Sequence, residues 1–356
     1  MTPRALIVLL SFTLCLTACG NASDVPSLTD TSSEPDPFAT VPPFDFGFDT
    51  PSTGSATSSP APIVQPTPAP GTPPVNNGTS LPNNFFRHIG RSYLQTWLYQ
   101  PAGVTTVGDF VLVADGQRKT DPLGPYGGVL MFDGRGTDAS RPVGGIYMTL
   151  AAGTPPTRLG AGMKAVAAGS DVLYAMDDQG VYGFMLDTRN ALNLGRAYTG
   201  TGSDLAVAGP TVYVAQSGAI NAFAYGTFAT DPATPSLPLS ARGLGSDPAG
   251  NLYVATATQV LRYTNGQSNL TFDGKGVDGQ GPGFEDLMDV AADPRNGDIY
   301  ALDRHAVLRF DSTGHFLSRF GQDQIQGATS VAVGAHGEIY VTDAAARQVL
   351  QFEAGR

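Results

Sequence analysis

The chain has 356 residues, a formal net charge of −11, 44 glycines, 28 prolines and two cysteines. It has no basic stripe, which excludes a nucleic-acid partner held through its phosphates. It has no Gly-rich phosphate loop with Lys and Ser/Thr, and no Gly-x-Ser-x-Gly elbow, so the usual nucleotide and serine-hydrolase signatures are missing.

The chain opens Met1-Thr-Pro-Arg4 and then runs apolar from residue 5 to 16. That run is too short to span a bilayer as a helix and has the layout of a secretory signal. It ends Leu16-Thr-Ala-Cys19-Gly20, which resembles a bacterial lipobox. The resemblance implies a signal peptide over residues 1–18 and a mature chain that starts at an acylated Cys19. Cys15 leaves with the signal, so no disulfide is expected. Two or more acyl chains would hold the protein stably at a membrane. Gly20, in place of an Asp, favours the outer membrane or cell surface of a bacterium.

Residues 19–84 hold six acidic residues and no basic one, among Pro, Ser, Thr and Gly. Such a segment buries too little to offset its ordering entropy, so it is expected to be a disordered tether. As flexible coil it spans on the order of 45 Å, and stiffened by its prolines it exceeds roughly 100 Å. Phe38, Phe44, Phe46 and Phe48 interrupt it beside Asp45 and Asp49. They read as incidental aromatics, with a linear motif for a partner as the alternative.

Residues 85–356 form the expected folded domain, with 25 acidic and 19 basic residues. Residues 92–98 (Ser-Tyr-Leu-Gln-Thr-Trp-Leu) are strand-like. Six similar phrases follow: Asp109-Phe-Val-Leu-Val-Ala-Asp115, Asp171-Val-Leu-Tyr-Ala-Met-Asp177, Pro210-Thr-Val-Tyr-Val-Ala215, Gly250-Asn-Leu-Tyr-Val-Ala255, Gly297-Asp-Ile-Tyr-Ala-Leu-Asp303 and Gly337-Glu-Ile-Tyr-Val-Thr-Asp343. With Leu112, Tyr174, Tyr213, Tyr253, Tyr300 and Tyr340 as equivalents, the steps are 62, 39, 40, 47 and 40 residues. A turn and a β-rich run recurring near 40 residues mark propeller blades, so the expected fold is an all-β, six-bladed propeller.

The wide first step is expected to hold a loop over residues 116–128 and a second projection over 134–156. Within the latter, residues 146–150 are the expected outer strand of blade one. In blade six, residues 330–333, 339–342 and 349–352 read as three strands, with Gly337 supplying positive φ in the first turn. Blade five has a fourth strand over residues 315–320; blade six has none. Residues 92–98 are therefore expected to close the ring against residues 349–352, which would remove the exposed edges.

The phrases Ser330-Val-Ala-Val…Gly337-Glu-Ile-Tyr-Val-Thr-Asp343…Arg347-Gln-Val-Leu-Gln-Phe352 and Leu287-Met-Asp-Val-Ala-Ala…Gly297-Asp-Ile-Tyr-Ala-Leu-Asp303 resemble NHL repeats. Asp278-Gly-Gln-Gly-Pro282 is similar to the Gly-rich lead-in of bacterial members. The match is good in blades four to six and weaker before them. The Asn that usually follows the second-strand Asp is absent. The resemblance implies an NHL-like scaffold, and a scaffold does not fix a function.

At the expected channel mouth stand Asp115, Asp177, Asp303, Arg304, His305 and Asp343, with Asp204, Glu285, Asp286 and Asp289 beside them. Strand-end aspartates read as solvent-facing turn caps; the alternative is a carboxylate ring holding Ca²⁺ or another divalent cation. The four histidines, His88, His305, His315 and His336, do not supply the several that a histidine-dependent lyase needs. Phe132-Asp-Gly-Arg-Gly-Thr-Asp138 and Phe272-Asp-Gly-Lys-Gly-Val-Asp278 echo each other and read as turns, with a calcium loop as the alternative.

Two functional readings result. The first is a monomeric, membrane-anchored extracytoplasmic binding or scaffold module for an envelope protein, peptide or glycan, with no cofactor. The second is a lactonase-like, metal-dependent hydrolase with its ion at the channel mouth.

Overall fold

The computed structural model describes residues 85–90, 97–121, 124–136, 138–149, 157–186, 193–198, 200–230, 234 and 236–353. The signal segment, Cys19, the tether with its four phenylalanines and residues 92–96 lie outside them. The described residues form strands and turns without a helix. Six antiparallel sheets follow one another along the chain, and the fold is a six-bladed β-propeller.

Blade 1 runs from Gln100–Val107 through Phe110–Asp121 and Gly124–Asp133 to Gly144–Ile146. Blade 2 comprises Ala165–Ala168, Val172–Met176, Val181–Met185 and Asn193–Tyr198. Blade 3 has three strands, Asp204–Ala208, Thr211–Gln216 and Ala219–Ala224, with isolated bridges from Ile220 to Leu237 and Phe223 to Thr230 on its outer edge. Blade 4 is Gly243–Ser246, Leu252–Ala255, Val260–Thr264 and Gln267–Phe272. Blade 5 is Leu287–Ala292, Ile299–Asp303, Ala306–Phe310 and Phe316–Phe320. Blade 6 is Ala328–Val333, Glu338–Asp343 and Gln348–Glu353, completed by Phe85–Ile89 from the front of the domain.

The first strand of each blade packs against the first strand of the next, and that of blade 6 packs against that of blade 1. This closed circle of inner strands surrounds the channel. The core is divided accordingly into six apolar clusters, one per seam between neighbouring blades. Tyr174, Tyr253 and Tyr300, the repeat tyrosines of blades 2, 4 and 5, are fully buried in these seams. Burial of this kind explains why the apolar pattern of each second strand is nearly continuous instead of alternating. The turn before it needs φ above zero, and Gly250, Gly297 and Gly337 supply +82°, +76° and +90°.

Ring closure differs in detail from the sequence expectation. The closing strand is Phe85–Ile89, not residues 92–98, and its partners are Val349 to Phe352. Gly90, at φ +74°, ends that strand and turns the chain. The amide of Trp97 then donates to the Gly90 carbonyl at 2.9 Å. Leu98 folds back over Gly90, where an added Cβ would lie 2.8 Å from its Cδ1. Leu98 thus joins the blade 6–blade 1 core as packing, beside Ile89, Val349 and Phe132, without pairing in the sheet. Arg87 fastens the same seam: its Nε donates to Gln351 Oε1 at 2.7 Å, and its Nη atoms donate to the carbonyls of Gly136, at 2.5 Å, and Gly134.

Two further expectations are corrected. Residues 116–128 are not a loop; the second and third strands of blade 1 continue outward as a ladder to the Asp121–Gly124 pair. The outer strand of blade 1 is Gly144–Ile146, and Met148–Thr149 leaves it to pair with Thr157–Arg158. Glycine explains the first change. Cβ atoms at Gly116 and Gly127 would sit 2.5 Å and 2.3 Å from the carbonyl oxygens of Ala161 and Gly160, so only a bare backbone lets the hairpin lie against the lead-in to blade 2.

Ile89 is fully buried at the closing seam. Ile89→Ala should lower the unfolding free energy by about 2–5 kcal/mol, whereas Tyr99→Ala, at a side chain 39% exposed, should change it by less than about 1 kcal/mol. Urea denaturation of both variants checks the comparison.

Candidate functional site

The aspartates expected at the mouth stand at or just past the ends of the second strands in blades 2, 5 and 6 and inside the longer second strand of blade 1, and they do not face solvent. Asp115, Asp177 and Asp343 are 0% exposed and Asp303 1%. Each accepts backbone amides from the loop that leads into its own blade. Asp115 Oδ1 takes the Tyr99 and Gln100 amides at 2.9 and 2.8 Å. Asp177 Oδ2 takes that of Gly160 at 2.7 Å. Asp303 Oδ1 takes that of Asp286 at 2.6 Å, and both its oxygens face the Glu285 amide. Asp343 takes Gln326, Gly327 and Ala346 between its two oxygens at 2.8–3.0 Å. The turn-capping reading is right in chemistry and wrong in exposure: a carboxylate can be buried here because charge-assisted bonds to amides replace its water. In blade 3 the equivalent is Gln216, whose Nε2 donates to the Thr201 carbonyl at 3.1 Å. In blade 4 it is Thr256, which caps its own turn through Gln259.

A second pair of carboxylates lies inside the ring. Pairing of the inner strands makes Gly103, Ala165, Asp204, Gly243, Asp289 and Ser330 equivalent, each directed toward the following blade. Four are small, as converging inner strands require. Asp204 and Asp289 are not, and they repeat one geometry. Asp204 Oδ1 accepts the amide of its neighbour Leu205 at 2.8 Å and Oδ2 that of Leu244, in blade 4, at 2.6 Å. Asp289 accepts Val290 at 2.7 Å and Val331, in blade 6, at 2.8 Å. Each carboxylate staples one seam where no ladder bond can form. Ser330 plays the same part toward Val104 with a longer contact of 3.4 Å.

Asp289 is 4% exposed, and burial pushes its carboxyl up to about 6 against the pull of the Val331 amide, the Ser330 hydroxyl and the Val290 amide. Asp204 is half-buried, yet its carboxyl also lies well above its usual range, from burial first and the Asp289 charge next. Gly243 stands between them: its added Cβ would meet Asp289 Oδ1 at 2.2 Å. Beyond this pair the channel widens into a cavity of about 640 Å³ that opens on the face of the first turns. Val104, Val166, Leu205, Leu244, Val290 and Val331 line it, one from each blade.

The other expected mouth residues do not converge on one point. Arg242 bridges to Asp286 and also donates to the Leu287 carbonyl at 3.2 Å. Arg319 Nη2 lies 3.5 Å from Glu285 Oε1. Arg304 and His305 form the exposed second turn of blade 5. His88 is exposed on the closing strand. His315 is tied to Asp311 and Thr313, and His336 Nε2 lies 3.0 Å from Asp109 Oδ1 across the closing seam. Among the described residues, no group of three or more His, Cys, Asp or Glu is placed to hold a metal ion.

The two echoing segments are turns of one design at different blade positions. Asp133 accepts the Arg135 and Gly136 amides after a third strand, and Asp273 accepts that of Lys275 after a fourth. Sequence reading grouped Asp204 and Asp289 with the mouth and missed Gly243. Aligning the inner strands on Leu205, Leu244, Val290 and Val331 places all three at one position and would have separated them.

No family model and no curated protein matches the chain. Solved structures do. A chain from the crystal structure of the mitotic checkpoint complex is similar to it with a TM-score of 0.49 and 10% identity, over 85% of this chain and 100% of that one. The WD40 β-propeller domain of Doa1 is similar with a TM-score of 0.45 and 15% identity, over 72% of this chain and 94% of that one. These likenesses concern the fold alone.

Asp343→Ala would leave three amides without their acceptor and should cost roughly 3 kcal/mol, with Asp343→Asn intermediate; thermal and chemical denaturation check the order. Gly243→Ala should cost a similar roughly 3 kcal/mol, because the new methyl meets the Asp289 backbone at 2.5 Å as well as its side chain.

Proposed function

We propose that the protein is a lipid-anchored, extracytoplasmic NHL-type propeller that acts as a binding or scaffold module for a protein, peptide or glycan of the bacterial envelope. In this reading residues 1–18 are the signal peptide, Cys19 carries the acyl chains, residues 19–84 are the tether and residues 85–356 the displayed domain. Gly20 favours the outer membrane or cell surface.

One observation carries the binding role. The repeat is kept more closely where blades pack, with the tyrosine in five blades and the strand-end aspartate in four, than at the tips of the second turns. Buried positions recur as tyrosine, small aliphatics and aspartate. The exposed tips are instead Asp178 in blade 2, Ser217 in blade 3, Thr258 in blade 4, Arg304 and His305 in blade 5, and Arg347 in blade 6. A uniform scaffold that presents unlike polar groups on one face suits selective contact with a partner. The cations of blades 5 and 6 favour an acidic region of that partner.

Two measurements test the reading. Cys19→Ser should abolish incorporation of labelled palmitate and release the protein from the membrane fraction of a bacterial host; unchanged fractionation without label would overturn the anchor. Photo-crosslinking at Thr258 and at Ser217 should trap the same envelope component, and Arg304→Ala with Arg347→Ala should weaken its capture about tenfold or more. Capture that is equal in the double variant would reject this face as the contact.

A further inference from the structure

We propose that Arg347, at the tip of the second turn of blade 6, is the specificity-determining residue of the partner contact and grips a carboxylate of a protein partner; this role rests on the binding face proposed above. Three described residues other than glycine hold φ in the left-handed region: Phe228 at +56°, Asn265 at +50° and Arg347 at +53°. That region crowds the Cβ of an L-residue, so a side chain standing there needs a reason. The fold supplies one for the first two. Phe228 is buried and stacked on Phe223, with 4.4 Å between ring centres, and its amide donates to the Ala224 carbonyl at 2.8 Å. Asn265 joins the third and fourth strands of blade 4 together with Gly266 at +75°, the Asn-Gly pair that a two-residue hairpin turn prefers.

Arg347 has no such reason within the fold. Its side chain is exposed and, among the described residues, makes no hydrogen bond or ion pair. The turn is held by other groups: Asp343 Oδ1 accepts the Ala346 amide at 3.0 Å, and Asp343 pairs with Gln348 across the strand ends. In blade 3 the residue just before the third strand is Gly218, at +82°; in blade 6 that place belongs to Arg347. Glycine therefore meets the same backbone demand at an equivalent tip. Arginine is disfavoured there by its Cβ, and the exposed guanidinium is what it brings in exchange.

The tip of the adjacent blade 5 carries Arg304, also exposed and also without a side-chain hydrogen bond or ion pair among the described residues. Asp323 stands exposed on the loop leading into blade 6, and neither guanidinium pairs with it. Two cations thus remain on neighbouring tips of one face with no acidic partner from this chain among the described residues. A guanidinium presents two parallel N–H donors that match the two oxygens of a carboxylate. The domain around it holds 25 acidic and 19 basic residues, and so repels a densely anionic polymer or lipid surface. A protein that brings one or two carboxylates to these tips escapes most of that repulsion.

The full chain with Arg347→Gly gives two independent readings. Thermal unfolding reports the backbone: the variant should melt level with the wild type or up to about 4 °C above it. Melting below the wild type overturns the assignment, because the arginine would then be holding the turn. Photo-crosslinking from Thr258 into a bacterial envelope extract reports the contact. Arg347→Gly should lower the yield of cross-linked protein about tenfold. Amidating the extract's carboxyls with carbodiimide and glycinamide should lower the wild-type yield as much, and phosphatase treatment should leave it unchanged. Equal yield from the variant, a yield that survives amidation, a yield lost to phosphatase, or a product that resists protease each overturns the assignment while the binding face stands. A wild type that captures nothing removes the binding face itself, and this role with it.

Discussion

Everything in this propeller depends on one antiparallel pairing, Phe85–Ile89 against the last strand of blade 6. Blades 1 to 5 each draw their strands from one continuous stretch, so their internal ladders are local. Closure alone joins distant segments, 264 residues apart at the Arg87–Gln351 contact. Without it blade 6 would end on an open edge, and the sixth apolar cluster would lose Ile89. Arg87 adds direction to the closure, because its guanidinium reaches past its own sheet to the carbonyls of Gly134 and Gly136 in blade 1.

Much of this architecture was legible in the sequence because the repeat is written in residues whose roles are mechanical. The tyrosine and its flanking aliphatics fix the second strand, the glycine before them fixes the turn, and the spacing fixes the blade count. Closure by a segment ahead of blade 1 was also legible, since blade 6 has only three strands of its own. Which segment closes was not. Residues 92–98 carry the stronger aromatic and aliphatic pattern, but at Leu98 an apolar side chain reports burial and not pairing, since Leu98 is buried by folding back over Gly90. The weaker-looking Phe-Phe-Arg-His-Ile run makes the ladder.

The candidate site was less legible for a related reason. A carboxylate at a strand end looks alike in sequence whether it faces water, binds a cation or collects amides. Only the fold shows that Asp115, Asp177, Asp303 and Asp343 collect the amides of the loops leading into their own blades. The amides these aspartates accept lie at turns and strand entries, where a side chain can satisfy a donor that the ladder leaves over. Asp204 and Asp289 solve the corresponding problem across a seam. The acidic character of the domain thus reflects, in part, how a ring of separate sheets is held together, and the exposed tips remain as the region where residue type varies freely.

The crossing of early and late segments at blade 6 also sets where chain entropy weighs most. Phe85 to Ile89 pairs with a strand far along the chain, 264 residues separating Arg87 from Gln351, and among the described residues it joins no other sheet. The ladders of blades 1 to 5 pair segments close in sequence, so their loops are short. The pairing that makes the circle is therefore the one with the greatest loop-closure cost.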